Sequence, residues 1–511
     1  MVNEAPIFSV SILAQASRTW LASPHQLPII DRRSQDVRLM LQKMKPSLAS
    51  CWFLSFVVVG CHAGLEHEVE MTPPPPDFSK YFEALPQLGR KAVVASLCIG
   101  ISGSGHAFHQ MHTGAIYNNV FDLEPRYREC LTKHMTSVGL ELHEIELHLG
   151  KTRGDLLLLP LKNLKVPVDF LIAGPPCPPW AGNGNQKSLR DVRARVFVRV
   201  MMWVLFLVKC GGLLAVVLEN VAGILQSFQG QEPAMTQFLR VLHAFIPEFA
   251  FRVDTLDLRD YLCPQGRVRV FLRGLRRSIL EAVPAPLKRF GTRTLRDVLG
   301  SFPNVLRSSL TLPQQDNLRV YEQMITTKVL GKCLELADVV VMHLDRNPHN
   351  EYGTTISRNI SPTLTCKNNY LLIMSVSDVF HQVADAGREF FRFMHATERL
   401  TLQGFPPRLI LDLGSSILAA KASGNAYPVP LIIATVHPLI EAIGTKECFD
   451  FESWPLPEMI SDKTPDCMEL FSKALVAKSR KLKGARKKSR QELVRRSACP
   501  KKKKRGWGDS D

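Results

Sequence analysis

The stretch that most constrains this 511-residue chain is DFLIAGPPCPPW, Asp169 to Trp180. The apolar run Phe170-Leu171-Ile172-Ala173 has the length and the bounds of a buried strand. Gly174, Pro175 and Pro176 end it, because proline locks φ and lacks the N–H that a neighbouring strand requires. Cys177 comes next, followed by Pro178 and Pro179, so prolines on both sides remove the backbone freedom that would blur the thiol's position. A cysteine delivered there stands at the carboxyl end of a strand, where α/β sheets bind ligands. Most cysteines are inert core residues, and the chain has twelve. A task for Cys177 therefore depends on partners elsewhere in the sequence.

Those partners come in an ordered series. From Lys91 strands alternate with helical stretches, which predicts a doubly wound α/β domain, a mostly parallel sheet with helices on both faces. Ala92 to Leu97 reads as the first strand and leads through Cys98 into Gly100-Ile101-Ser102-Gly103-Ser104-Gly105. Such a turn lets backbone approach a nucleotide-like ligand, or is simply a tight connection. The second strand ends in Phe121-Asp122-Leu123-Glu124, where a carboxylate can accept both ribose hydroxyl hydrogens. Asp155, followed by Leu156, is expected to end a third strand. Either acid taken alone could be a solvated loop residue. The order, glycine turn, acid, acid and then Cys177, raises them together.

Beyond Trp180 the very apolar segment from Phe197 to Leu218 is broken by Arg199, Lys209 and Gly211-Gly212. It reads as a buried helix followed by the strand Leu213 to Leu218, not as a membrane span. That strand ends in Glu219-Asn220-Val221, and a carboxylate on a buried strand tip is costly without a task or a partner. In Gln265-Gly266-Arg267-Val268-Arg269 the alternation places Gln265, Arg267 and Arg269 on one face. Two arginines so spaced suit a carbonyl or phosphate site. The plain alternative is a charged, exposed edge.

The ends of the chain differ from its body. Residues 47–65 are nineteen in a row without formal charge, but Gly, Ser, Cys and His62 dilute them. A buried or poorly ordered segment is favoured over a span. The MTPPPPD run at Met71 to Asp77 reads as a stiff linker closing an N-terminal extension over residues 1–90. Of the formal net charge of +17, residues 473–505 hold sixteen Lys or Arg and one acid, 16 − 1 = +15. The basic character is thus an appended tail (451–511), too charged to fold alone. It is suited to weak nucleic-acid affinity and a nuclear address. The cysteines form no CxxC pairs, so no metal site is expected and a reduced setting is the simplest account.

Taken together these motifs resemble those of the cytosine-C5 methyltransferases, from about Lys91 to Thr445. Pro176-Cys177 is similar to that family's nucleophile motif, Glu219-Asn220-Val221 to its acid motif and Gln265 to Arg269 to its QxRxR motif. Arg399-Leu400-Thr401-Leu402-Gln403-Gly404-Phe405-Pro406 resembles its RLQGFP segment. Gly424-Asn425-Ala426-Tyr427-Pro428 resembles its closing GN motif. The chain departs from the family in places. Pro178 follows Cys177 where glutamine is usual, and Ser96 and Cys98 stand where Asp and Phe are common. The second strand ends Asp-Leu-Glu, not Glu-x-Asp, and Leu262 replaces a glycine.

The resemblance implies an S-adenosylmethionine-dependent, class I methyltransferase fold with a smaller target-recognition domain. It divides the chain into a catalytic core (91–274), a target-recognition domain (275–389) and a return to the core (390–450). It makes Cys177 the nucleophile at cytosine C6, with Glu219 at N3 and the exocyclic amine. Arg269 would hold O2, and Arg267 would support the thiolate loop or a phosphate. The cofactor would meet Cys98, Gly100, Ile101, Gly103, Asp122, Leu123, Asp155, Leu156, Pro176 and Asn425. DNA is the expected substrate, its target base flipped out, since C6 is shielded within a duplex. The tRNA-methylating branch is the alternative; no CFT tripeptide of the kind associated with it is present. A catalytically silent DNA-binding scaffold of the same fold is the reading from another class.

Overall fold

The structure, a computed structural model, describes residues 64–444 except 86–90, 138–140, 143–154, 159–163, 165, 183–187, 211, 229, 347, 349–355, 367–370 and 382–390. The expectations for residues 47–63 and for the tail lie outside the described residues. The described residues from Leu65 onward form one compact unit.

In chain order the first part comprises β1 (Ala92–Leu97), α1 (Gly103–Gln110), β2 (Ala115–Phe121), α2 (Pro125–Ser137), β3 (Glu141–Leu142) and β4 (Phe170–Ala173). Then follow α3 (Ala194–Cys210), β5 (Ala215–Val221), α4 (Ala234–Phe245), β6 (Phe249–Asp257) and β7 (Val268–Arg276). The seven strands make one sheet in the order β3-β2-β1-β4-β5-β7-β6. Pairings from β3 through β5 are parallel, and β7 runs antiparallel to both β5 and β6. The expected mostly parallel sheet is therefore present.

Side-chain alternation divides the sheet between two cores. Val94, Phe170, Ile172, Ala215 and Val217 point to one face, where Ala107 and Phe108 of α1 pack. Ala95, Leu97, Leu171, Ala173, Val216 and Leu218 point to the other, against Phe197, Val204 and Leu207 of α3 and Phe238 and Leu242 of α4. The apolar segment from Phe197 is thus a core helix followed by a strand. No single helix among the described residues is long and apolar enough to cross a membrane.

The smaller part holds α5 (Leu312–Leu330), β8 (Val339–His343), β9 (Ser357–Arg358), β10 (Leu371–Ser375), α6 (Val376–Phe380) and β11 (Phe391–Phe393). Its strands form an antiparallel sheet, β11-β10-β8-β9. One face packs on Leu318, Tyr321 and Ile325 of α5, the other on Leu295, Val298 and Leu402. The chain then returns through α7 (Ala396–Thr401), α8 (Leu409–Leu413), α9 (Ser416–Asn425) and α10 (Val429–Gly444). Leu431, Ile432, Ala434, Val436, Leu439 and Ile440 of α10 join the first core. Burying each aliphatic side chain contributes about 1.5–3 kcal/mol.

Asp155 opens a turn over residues 155–158, its Oδ1 accepting from Leu157 N–H at 2.9 Å, and the residues just before it, where a third strand is expected, lie outside the described ones. One sequence expectation is corrected here: Met71 to Asp77 is not a stiff linker standing apart from the main domain. Phe78 is fully buried in the first core. The hydroxyls of Thr72 and Thr397 lie 2.6 Å apart, and Ser416 Oγ donates to Glu68 Oε1 at 3.0 Å. A proline run looks locally the same whether solvated or docked; the buried anchors decide.

Candidate active site

Sheet topology gathers the sequence motifs at one place. The strand order reverses between β1 and β4, the position where open α/β sheets bind ligands beyond the carboxyl ends. Leu97 of β1 pairs with Ala173 of β4, and Ala173 with Leu218 of β5. The next residues, Cys98, Gly174 and Glu219, therefore stand at the same level on three neighbouring strands, just beyond β1 and β4 and near the end of β5.

The loop carrying Cys177 is anchored at both ends. Asn220 Nδ2 donates to the Pro175 carbonyl at 3.2 Å. The N–H groups of Trp180 and Ala181 both donate to the Cys177 carbonyl, at 2.9 and 3.0 Å. Trp180 is buried edge-on against Phe197 of α3. A Cβ on Gly223, just past β5, would stand 1.9 Å from the Trp180 carbonyl oxygen, so only glycine permits that seat.

Glu219 and Arg269 face each other across the β5–β7 pair. Arg269 stands opposite Val221, two residues from Glu219 and on the same face, which makes the two a diagonal cross-strand pair. Arg269 Nε lies 2.8 Å from Glu219 Oε1, and both side chains are about nine-tenths buried. Together with Arg267 they set the charge around the thiol. Burial first, then the Glu219 carboxylate, pushes the Cys177 thiol above its ordinary value, while Arg269 and Arg267 pull it back.

Arg267 is held by backbone carbonyls rather than turned outward to a phosphate, while its charge still reaches the Cys177 thiol. Its guanidinium donates to the carbonyls of Leu364 (3.3 Å), Gly424 (3.4 Å) and Ala426 (2.5 Å). Burial, aided by Arg269, pushes it down to about 9, so it still carries its charge at neutral pH. It clamps the closing GN segment to the strand that carries Arg269. Gln265 is likewise structural in its contact: Gln403 Nε2 donates to its Oε1 at 3.0 Å, joining the QxRxR and RLQGFP motifs. Both residues are buried, as is Arg269, while Val268 is exposed, so the alternation is as expected but its polar face points inward.

On the cofactor side, Gly100 has φ +57° and donates its N–H to Asp122 Oδ2 at 2.8 Å. Asp122 Oδ1 accepts from Glu124 N–H at 2.9 Å. Cys98 lies close enough to Asp122 and Asp155 that both carboxylates, after burial, push its thiol up. Ile101 and Leu156 are buried, whereas Leu123 is 69% exposed and Leu158 62%. Two carboxylates beside exposed leucines match a ligand with a diol, an amine and a flat apolar ring. Gly103 opens α1 and Pro176 follows β4 by three residues, and Asn425 ends α9 beside Tyr127.

Comparison with known proteins assigns the chain to a family. The family model described as C-5 cytosine-specific DNA methylase matches residues 93–441, well over half the chain. The chain belongs to that family. By this membership it is a DNA (cytosine-5)-methyltransferase, and S-adenosylmethionine is the family's methyl donor. It is 32% identical over 148 residues to the type II methyltransferase M.MthTI of Methanothermobacter thermautotrophicus, an alignment spanning 28% of this chain and 41% of that protein. It is 22% identical over 277 residues to M.HaeII of Haemophilus aegyptius, spanning 54% and 74%. Among solved structures, the Entamoeba histolytica methyltransferase EhMeth aligns at TM-score 0.43 and 14% identity, covering 69% of this chain and 98% of that one.

Sequence reasoning passed over several residues of the methylase site. Gly223 and the Asn220 carboxamide hold the nucleophile loop. Tyr427 is buried, and its one sequence signal is an aromatic residue two positions after Gly424-Asn425 and directly before Pro428.

Proposed function

We propose that Cys177 is the nucleophile of a cytosine-C5 methyl transfer on DNA, with Glu219 and Arg269 holding the base. The observation that carries this reading is the convergence of the Cys177 loop with the buried Glu219–Arg269 pair at the sheet's switch point. Cytosine C5 is a weak nucleophile, and a thiolate adding at C6 makes it enamine-like. In the free protein burial and Glu219 disfavour the thiolate, so the buried arginines are what support it when the substrate arrives. Glu219 Oε1 is engaged by Arg269, and Oε2 lies toward Gly174, 3.6 Å from where a Cβ would stand. That oxygen is suited to N3 and the exocyclic amine, where charge develops during addition. Arg269 holds the O2 carbonyl by its remaining N–H groups. Removal of the C5 proton by a base then allows the sulfur to leave. Arg267 supports the geometry through the backbone carbonyls it holds.

S-Adenosylmethionine supplies the methyl group when bound. Gly100, Ile101 and Gly103 would form its backbone cradle, with Asp122 available to the ribose hydroxyls and Asp155 to the adenine amine. Cys98, Leu123 and Leu156 would hold the ring, and Pro176 and Asn425 would complete the pocket. Residues 91–274 form the catalytic core and 275–389 the target-recognition domain, and 390–450 return to the core. The segment 65–85 joins the core in place of the N-terminal extension. The basic tail adds sequence-independent affinity for DNA. A nuclear address for it draws no support from the matched curated relatives, which are prokaryotic.

The test offers labelled cofactor with duplex DNA and, separately, with tRNA, to wild type and Cys177→Ala, and maps 5-methylcytosine. Label in DNA that vanishes in the variant is the expected result. Label confined to tRNA would move the substrate, and full turnover by the variant would remove Cys177 from its role.

A further inference from the structure

Tyr427 is 2% exposed, and its ring lies between two glycines. A Cβ on Gly103, in the first turn of α1, would stand 2.8 Å from Cδ2 and 2.3 Å from the tyrosine's own carbonyl oxygen. One on Gly174, directly after β4, would stand 2.8 Å from Cδ1 on the opposite edge. Carbon atoms do not approach closer than roughly 3.5 Å without repulsion. The two backbones therefore touch opposite edges of one ring only because neither bears a side chain. Gly103 belongs to the segment assigned to the cofactor, and Gly174 to the one that delivers Cys177.

The ring's orientation is fixed as well. Its hydroxyl lies 3.2 Å from Ser96 Oγ, which lies 3.1 Å from Ser104 Oγ. Both serines are fully buried, one on β1 and one on α1. The backbone beside it is held by Arg267 on the Ala426 carbonyl and by the Val429 N–H donating to the Gln403 carbonyl at 3.0 Å.

We propose that Tyr427 is a positioning residue for methyl transfer, a rigid spacer that sets the separation of the cofactor pocket from the Cys177 loop without touching either reactant. This rests on the assignment of Cys177 and the cofactor loop made above. Each reactant is held by one loop, but the transferring methyl and C5 must meet in line. A misplacement of about 1 Å can cost on the order of 100-fold in rate.

The reaction divides into halves that test this. Calorimetric titration reports S-adenosylmethionine binding. Release of tritium to water from DNA labelled at cytosine C5, without cofactor, reports sulfur addition alone. In that exchange the Cys177 sulfur bonds to C6 and C5 takes a proton from water. C5 then gives up its tritium as a proton, and the thiolate is expelled. Single-turnover methyl transfer needs both loops in register.

Tyr427→Leu should keep cofactor binding and tritium release within about threefold of wild type while transfer falls at least about tenfold. Tyr427→Phe, which retains the ring, should keep transfer within about fivefold. Tyr427→Met replaces the leucine variant if that one does not fold. Parallel loss of all three readouts would mark the residue as merely structural and overturn the proposal, as would unimpaired transfer without the ring. Wild-type protein that neither binds cofactor nor releases tritium would instead sink the reading of the site on which the proposal rests.

Discussion

At the scale of single residues, the site is an argument about charge around one sulfur. Burial and Glu219 raise the Cys177 thiol, and two arginines oppose them. Alkylation of Cys177 by iodoacetamide should therefore still be rising at pH 9, with no plateau near neutrality, because only the thiolate reacts. Glu219→Gln removes the nearby negative charge and leaves Arg269 unneutralised, and both changes favour the thiolate. The variant should be alkylated faster than wild type at pH 7.5 yet transfer methyl groups on the order of 100-fold more slowly, having lost the group that stabilises the activated ring. Mass-spectrometric alkylation rates beside single-turnover kinetics check both signs. A variant slow in both would show that Glu219 does not act on the thiol.

At the scale of elements, the nucleophile loop depends on the contact between Trp180 and Gly223. Gly223→Ala forces a Cβ into the Trp180 carbonyl, an overpacking that should cost about 1–3 kcal/mol in urea unfolding and also slow transfer. An unchanged unfolding midpoint would remove this anchor from the account. Residues 358–365 are a second such joint. Gly266 N–H donates to the Ser361 carbonyl at 2.8 Å and Ser361 N–H to the Pro264 carbonyl at 2.7 Å, while Asn359 Oδ1 accepts from Val339 N–H at 2.9 Å. One short segment therefore ties the small sheet to the stretch that leads through Arg267 into the strand carrying Arg269.

The same elements show what the sequence made legible. Strand-end motifs such as Pro176-Cys177 and Glu219-Asn220 are local signals, an apolar run followed by a residue too polar or too constrained to continue it, and they could be read directly. The inward set of Arg267, committed to three carbonyls from 97 to 159 residues away, has no local signature. Tyr427 between Gly103 and Gly174 has none either, since the contact exists only once the chain has returned to its first helix.

At the scale of the whole molecule, charge and fold are separate. Residues 473–505 hold +15 of the +17, and all other residues of the chain together sum to +2. Deleting residues 473–511 should flatten the dependence of DNA affinity on salt, since fewer counterions are released, while leaving single-turnover transfer at saturating DNA within about twofold. Fluorescence anisotropy across a salt series measures the slope, and an unchanged slope would place the affinity elsewhere. The proposed function rests on one transient carbon–sulfur bond at the switch point of the sheet. The most direct measurement offers the protein duplex DNA carrying 5-fluorocytosine with S-adenosylmethionine, digests the product and maps it by mass spectrometry. Because fluorine cannot leave C5 as a proton does, the account expects a stable, methylated nucleotide adduct on the peptide containing Cys177. An adduct on another residue, or methylation of ordinary cytosine by the same preparation with no trapped adduct on any oligonucleotide tried, would contradict it.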